Sequence, residues 1–140
     1  MALKSQVIIA ALALSISFGV VAKPESTWGP PYWTPSKKLV GKLEHQIKSL
    51  ENHLQMPTAP GDRPEAVARY ARYFSGATYD GRKVIVGEMV LPGIFAGPAG
   101  TYIVSRDDLP VVSDGACSVI WLLYEPRTGK VVSILCNPVR

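Results

Sequence analysis

The chain has 140 residues, with 15 basic and 11 acidic side chains, and a formal net charge of +4 at pH 7. So mild a charge, with no block of basic residues, argues against a nucleic-acid partner. Two cysteines make no zinc site by themselves.

The first segment reads as an address. One positive charge at Lys4 precedes an apolar run from Val7 to Val21, diluted only by Ser15, Ser17 and Gly19. Small or β-branched residues follow at Val20-Val21-Ala22, and Lys23-Pro24 opens a polar stretch. Charge, apolar core and small-residue exit, in that order, predict a secretory signal at residues 1–22. A membrane-spanning helix needs about 20 apolar residues, and this run holds 15. No cysteine lies just after the cleavage point, so no lipid anchor is expected. Cleavage after Ala22 leaves 118 residues with a net charge of +3, because Lys4 is the only charge removed. That length suits one domain, and no membrane span is expected in it.

Residues 23–36 hold four prolines, one glycine and the aromatics Trp28, Tyr32 and Trp33. Proline removes donors and fixes φ, so an extended arm without regular structure is expected. The favoured reading folds this arm back over the sheet or helix. The alternative is an aromatic strip, Trp28, Tyr32 and Trp33, that binds a partner or a glycan. Ser36 then caps a helix reaching about His53. Leu39, Leu43, Ile47, Leu50 and Leu54 recur at spacings of three and four and form its apolar face. Met56-Pro57 and Ala59-Pro60-Gly61-Asp62 close it. Such a stripe must be buried, and the protein's own sheet is the expected cover.

From Val67 the pattern turns to strands. Asp80-Gly81 between Tyr70–Tyr79 and Arg82–Leu91 predicts a two-residue type I′ hairpin. That turn places Tyr79 opposite Arg82, Ala77 opposite Val84 and Tyr73 opposite Glu88. Val84, Val86 and Glu88 then share one face, and Lys83, Ile85 and Gly87 the other. The stretch from Pro92 to Gly100 is a glycine- and proline-rich connection. Thr101–Ser105 is a short strand, and Arg106 to Pro110 a turn of helix stopped by proline. Ser118–Tyr124 is apolar on both faces, as a central strand is. Glu125 to Gly129 is a turn, and Lys130–Cys136 returns as a second hairpin arm. The expected fold is a single α+β domain at 37–140: one helix on an antiparallel sheet of four or five strands built from two hairpins.

Cys117 and Cys136 fall at the open ends of the second hairpin, seven residues before Tyr124 and six after Lys130. In an exported protein such a pair is joined. A structural disulfide is the reading here, because a catalytic dithiol usually sits closer in sequence at a helix start.

Signals for chemistry are sparse. His45 and His53, eight residues apart on the helix, do not have the i, i+4 spacing of paired metal ligands. Ser75 and Ser118 lie in no Gly-x-Ser-x-Gly elbow. The glycines around 94–100 follow no strand-to-helix junction, and Asp107-Asp108 fits a capped turn. No catalytic residue, metal or cofactor is expected.

Two resemblances add to this. Tyr70-Ala71-Arg72-Tyr73, Asp80-Gly81-Arg82, Asp114-Gly115-Ala116-Cys117 and Ile134-Leu135-Cys136-Asn137 resemble a set of small exported proteobacterial proteins with no assigned activity. The likeness covers residues 67–138 and implies a periplasmic or secreted location in a Gram-negative cell. Separately, Ser75-Gly76-Ala77-Thr78-Tyr79 is similar to the Ser-Gly-x-x-Tyr motif of periplasmic lysozyme inhibitors, which are closed β-barrels. That likeness implies partner contacts through Ser75, Gly76 and Tyr79.

The functional expectation is a non-enzymatic binding module for an envelope or secreted protein or a polymer. The alternatives are a small-ligand pocket between helix and sheet, a lysozyme-type inhibitor, and a small hydrolase in which His45 or His53 approaches a serine or carboxylate.

Overall fold

Asp80 and Gly81 adopt φ values of 48° and 72°, the left-handed pair that a two-residue hairpin turn requires. The turn joins β2 (Ala71–Tyr79) to β3 (Arg82–Val90). Their register pairs Tyr79 with Arg82, Ala77 with Val84 and Tyr73 with Glu88, as the turn chemistry predicts. The computed structural model describes residues 28–50, 64–93, 95–112 and 114–137. The expected signal segment, His53, Leu54 and the turn at 56–62 lie outside them.

The second hairpin, β5 (Val119–Glu125) and β6 (Lys130–Cys136), adds to β3 through antiparallel pairing of β5. Gly129 closes its turn at a φ of 66°, its N–H donating to the Glu125 carbonyl at 2.9 Å. The short strand expected at 101–105 is present as a fifth strand, and the arm adds a sixth to the expected four or five. β1 (Gly29–Trp33) and β4 (Gly100–Ile103) share the free edge of β2. β4 runs parallel to residues 71–74, and β1 runs antiparallel against residues 76–78. The arm expected to lack regular structure is therefore an edge strand. Proline is tolerated at an edge because a missing ladder donor there leaves no central bond unmade.

Helix α1 (Lys37–Leu50) starts where the sequence places it: the Leu39 N–H donates to Ser36 Oγ at 3.2 Å. Val40, Leu43 and Ile47 are buried, and each such side chain contributes about 1.5–3 kcal/mol. They meet Phe74, Ile85, Met89, Ile120, Leu122 and Tyr124, the residues that alternate onto one face of β2, β3 and β5. The fold is α+β, one helix packed on a largely antiparallel open sheet. Arg72 ties the layers together, donating to Glu44 on the helix at 2.8 Å and to Thr101 on β4 at 3.0 Å. Among the described residues, no helix is long and apolar enough to cross a membrane.

The opposite face carries a second, smaller core of Ala77, Val84, Val86 and Leu123, covered by Leu109. The covering segment leaves β4 alongside β2, with the Val104 N–H donating to the Phe74 carbonyl at 2.9 Å. It makes a single 3-10 turn at Arg106–Asp108. Both faces of the hairpin are thus buried, and residues 84–90 are buried without a break.

Cys117 and Cys136 are joined by a disulfide, with Cα atoms 4.6 Å apart and 19 residues of separation. Replacing both by serine is expected to lower stability by about 3 kcal/mol, the chain-entropy value for a loop of this length, measured by urea unfolding. A second expectation concerns Gly76, where a Cβ would overlap both the carbonyl and the indole of Trp33. Gly76→Ala should cost about 1–3 kcal/mol and release the arm, read as a red shift of tryptophan emission.

Candidate functional site

The tryptophans of the N-terminal arm lie on opposite faces of the sheet. Trp33 packs against the helix-side core, donates its indole N–H to the Ala77 carbonyl at 2.9 Å, and carries Lys83 5.3 Å from its ring centre. Trp28 lies on the other face, against the smaller core. The Arg106 guanidinium sits 4.2 Å from the ring centre of Trp28, and Trp121 of β5 meets the ring at 5.9 Å in a tilted contact. The arm is therefore a clasp over the edge of β2 and not one continuous aromatic strip. Of its three aromatics, only Tyr32 is largely exposed, at 50%.

The other residues singled out in the sequence are mostly interior. Ser75 is 2% exposed and Gly76 is buried beneath Trp33, so neither offers a surface contact in this fold. Tyr79 is half-buried against the smaller core. His45 is exposed on α1, on the far side of the sheet from the feature described next. Among the described residues, no three side chains of metal-ligating type cluster.

That feature is a cleft of about 330 Å³ on the face opposite the helix. The place expected for a pocket was between helix and sheet; the core there is packed, and a hollow of about 270 Å³ opens beside it, lined by Glu44 and Lys48 of α1, residues 66–68 and Arg72 of β2. Trp28, Trp121, Leu109, Pro110 and Val86 supply the cleft's apolar walls, with Glu88, Arg106 and Asn137 as the charged and polar groups. Alternation along β3 puts Glu88 on this face beside Val86, and pairing with β5 sets Trp121 directly opposite it. Asn137, just past β6, donates from Nδ2 to the Val112 carbonyl at 2.6 Å and so holds the 110–112 wall in place. Ser105 Oγ donates to Asp108 at 2.6 Å and tightens the turn that carries Arg106.

Glu88 is only 6% exposed. Burial pushes its carboxyl up from the ordinary 4.5 to about 7, against two opposing effects: a hydrogen bond from the Val112 backbone N–H and the field of Arg106. Burial wins because desolvation penalises the charged form more than one hydrogen bond and one unpaired cation restore. Arg106 and Glu88 form no direct ion pair among those the structure contains. Arg106 Nε is itself buried with no hydrogen-bond acceptor. The cleft thus holds an acid and a base that leave each other's polar atoms available.

Sequence reasoning singled out Trp28 as a binding residue but did not join it to the rest of this site, although one further signal was present: Glu88 interrupts an otherwise apolar alternation of Val84, Val86 and Val90. A lone carboxylate on an inward face is a buried polar group that needs a reason. Arg106, Trp121 and Asn137 carry no comparable local mark. No known family, curated protein or solved structure matches this chain.

The raised pKa has a stability consequence. Between pH 4.5 and 7 the unfolded chain has released the Glu88 proton while the folded protein retains it. The native state binds more protons there, so this group's contribution falls as pH rises through the window and is flat on either side. Urea midpoints across that range should therefore decline more steeply in the wild type than in Glu88→Gln; equal slopes would contradict the assignment.

Proposed function

We propose that this protein is an exported, non-catalytic binding protein that holds a small molecule, or one unit of a larger polymer, in the cleft over Glu88. One observation carries the reading: a cleft of about 330 Å³ in which an almost fully buried carboxylate faces two tryptophans. A protein selected for stability alone gains by filling such a place with an apolar side chain, because an unpaired buried charge costs several kcal/mol. Concave sites lined by aromatic and aliphatic groups with a few convergent polar atoms are where ligands bind, and perturbed carboxyls concentrate there. Export is supported by the signal-like first segment and by the Cys117–Cys136 bond.

The non-catalytic part of the reading follows from what surrounds Glu88. Among the described residues no histidine, cysteine or serine lines the cleft and Glu88 is its single carboxylate, so the acid and nucleophile pair of a hydrolytic site is not assembled from these walls. A protein partner acting through Ser75 and Gly76 has less support, since both are interior.

The test is a small-molecule screen on the full chain, scored by thermal shift and repeated on Trp121→Leu. Compounds that stabilise the wild type are expected to lose their effect in the variant. Hits that stabilise both proteins equally would place binding elsewhere and overturn the reading.

A further inference from the structure

The polar groups of the cleft constrain what it holds, given that it is the ligand site proposed above. Glu88 and Arg106 project into one space from different elements, β3 and the turn after β4, with no ion pair between them. A cation drawn to Glu88 is repelled by Arg106, and an anion drawn to Arg106 is repelled by Glu88. The field therefore favours a neutral ligand over either ion. Arg106 Nε is a buried donor without an acceptor, a state that costs about 1–3 kcal/mol until something accepts from it. Glu88 needs a partner that serves a carboxyl in either protonation state, because its proton is exchanged near neutral pH.

A hydroxyl meets both demands. It accepts from the guanidinium, donates to a carboxylate and accepts from a carboxylic acid. Adjacent hydroxyls on one ring could bridge the two side chains together. The remaining walls, Trp28, Trp121, Leu109 and Pro110, are apolar and suit the C–H face of such a ring. The volume lies at the small end of ligand sites, which fits a single ring unit and not an extended chain.

We propose that the cleft binds a neutral sugar unit, its hydroxyls bridging Glu88 and Arg106 and its C–H face lying against Trp121. Glu88 and Arg106 are binding residues in this assignment and perform no bond cleavage.

Titration of the nitrogen-labelled full chain, followed through its three tryptophan indole N–H signals, tests it. The probes are glucose, N-acetylglucosamine and maltose as neutral sugars, agmatine as a cation, and glycine and leucine as zwitterions. A neutral sugar is expected to shift Trp28 and Trp121 saturably and to leave Trp33 unmoved, since Trp33 lies across the sheet. Glu88→Gln and Arg106→Met should each weaken that binding by about tenfold, with unchanged folding verified by the Trp33 signal. Saturable shifts from agmatine or the amino acids alone would keep the cleft as a ligand site and overturn the sugar assignment. If none of the six probes moves either indole, both the sugar assignment and the cleft reading fall. Sugar binding undiminished in both variants would overturn the bridging geometry.

Discussion

Side chains alternate across a strand with a period of two, so a one-residue slip between β2 and β3 would exchange their faces. Ile85 and Met89 would leave the helix side, and Glu88 would enter it. The Asp80-Gly81 turn prevents that slip, because two consecutive left-handed residues allow a single closing geometry. β3 lies mid-sheet, and its register passes to β5: Ile85 lies opposite Tyr124, Gly87 opposite Leu122, and Glu88 opposite Trp121. The helix-side core, the smaller core and the floor of the cleft all follow from this one alignment.

The edge of β2 completes what the register begins. An open edge presents unpaired backbone groups, and here it is divided between β4 and β1. Pairing of β1 does more than cover the edge. It brings Trp33 over Gly76 on the helix side and leaves Trp28, just before the strand, on the other. Thr78 Oγ1 donates to the Pro31 carbonyl at 2.9 Å and secures the middle of the clasp. The wall of the cleft formed by Trp28 therefore depends on backbone pairing by a proline-rich arm. Its opposite wall depends on Leu109, which anchors the crossing segment in the smaller core, and on Asn137, which pins the segment's end.

Glu88 sits where these two supports meet. A valine there would continue the apolar run of β3 and remove a desolvation cost. The carboxyl instead remains mostly uncompensated, with one backbone hydrogen bond and a guanidinium that acts only through space. The same buried arrangement that raises its pKa leaves its polar atoms and those of Arg106 open to a ligand. Stability is conceded at this position, and the proposed ligand reading rests on that concession.

Much of the fold was legible in local pattern. Ser36 before an apolar stripe located the start of α1, Asp80-Gly81 determined the first hairpin residue by residue, and the offsets around Glu125 to Gly129 located the second. Cys117 and Cys136 were paired by their places at its open ends. Each of these depends on neighbours within a turn or across one hairpin, and such short-range constraints are written in consecutive residues. The arm was legible as extended but not as a strand, because pairing with β2 across more than 40 residues has no signature in its own prolines. The site was less legible still. Trp28, Glu88, Arg106, Trp121 and Asn137 come from five separate parts of the chain, and only Glu88 looks out of place in its own segment. The sequence by itself determined the helix, the hairpins and the register. Only the tertiary structure decided which side chains share the cleft, because their meeting depends on how the arm and the 104–112 segment cross a sheet that neither belongs to in sequence.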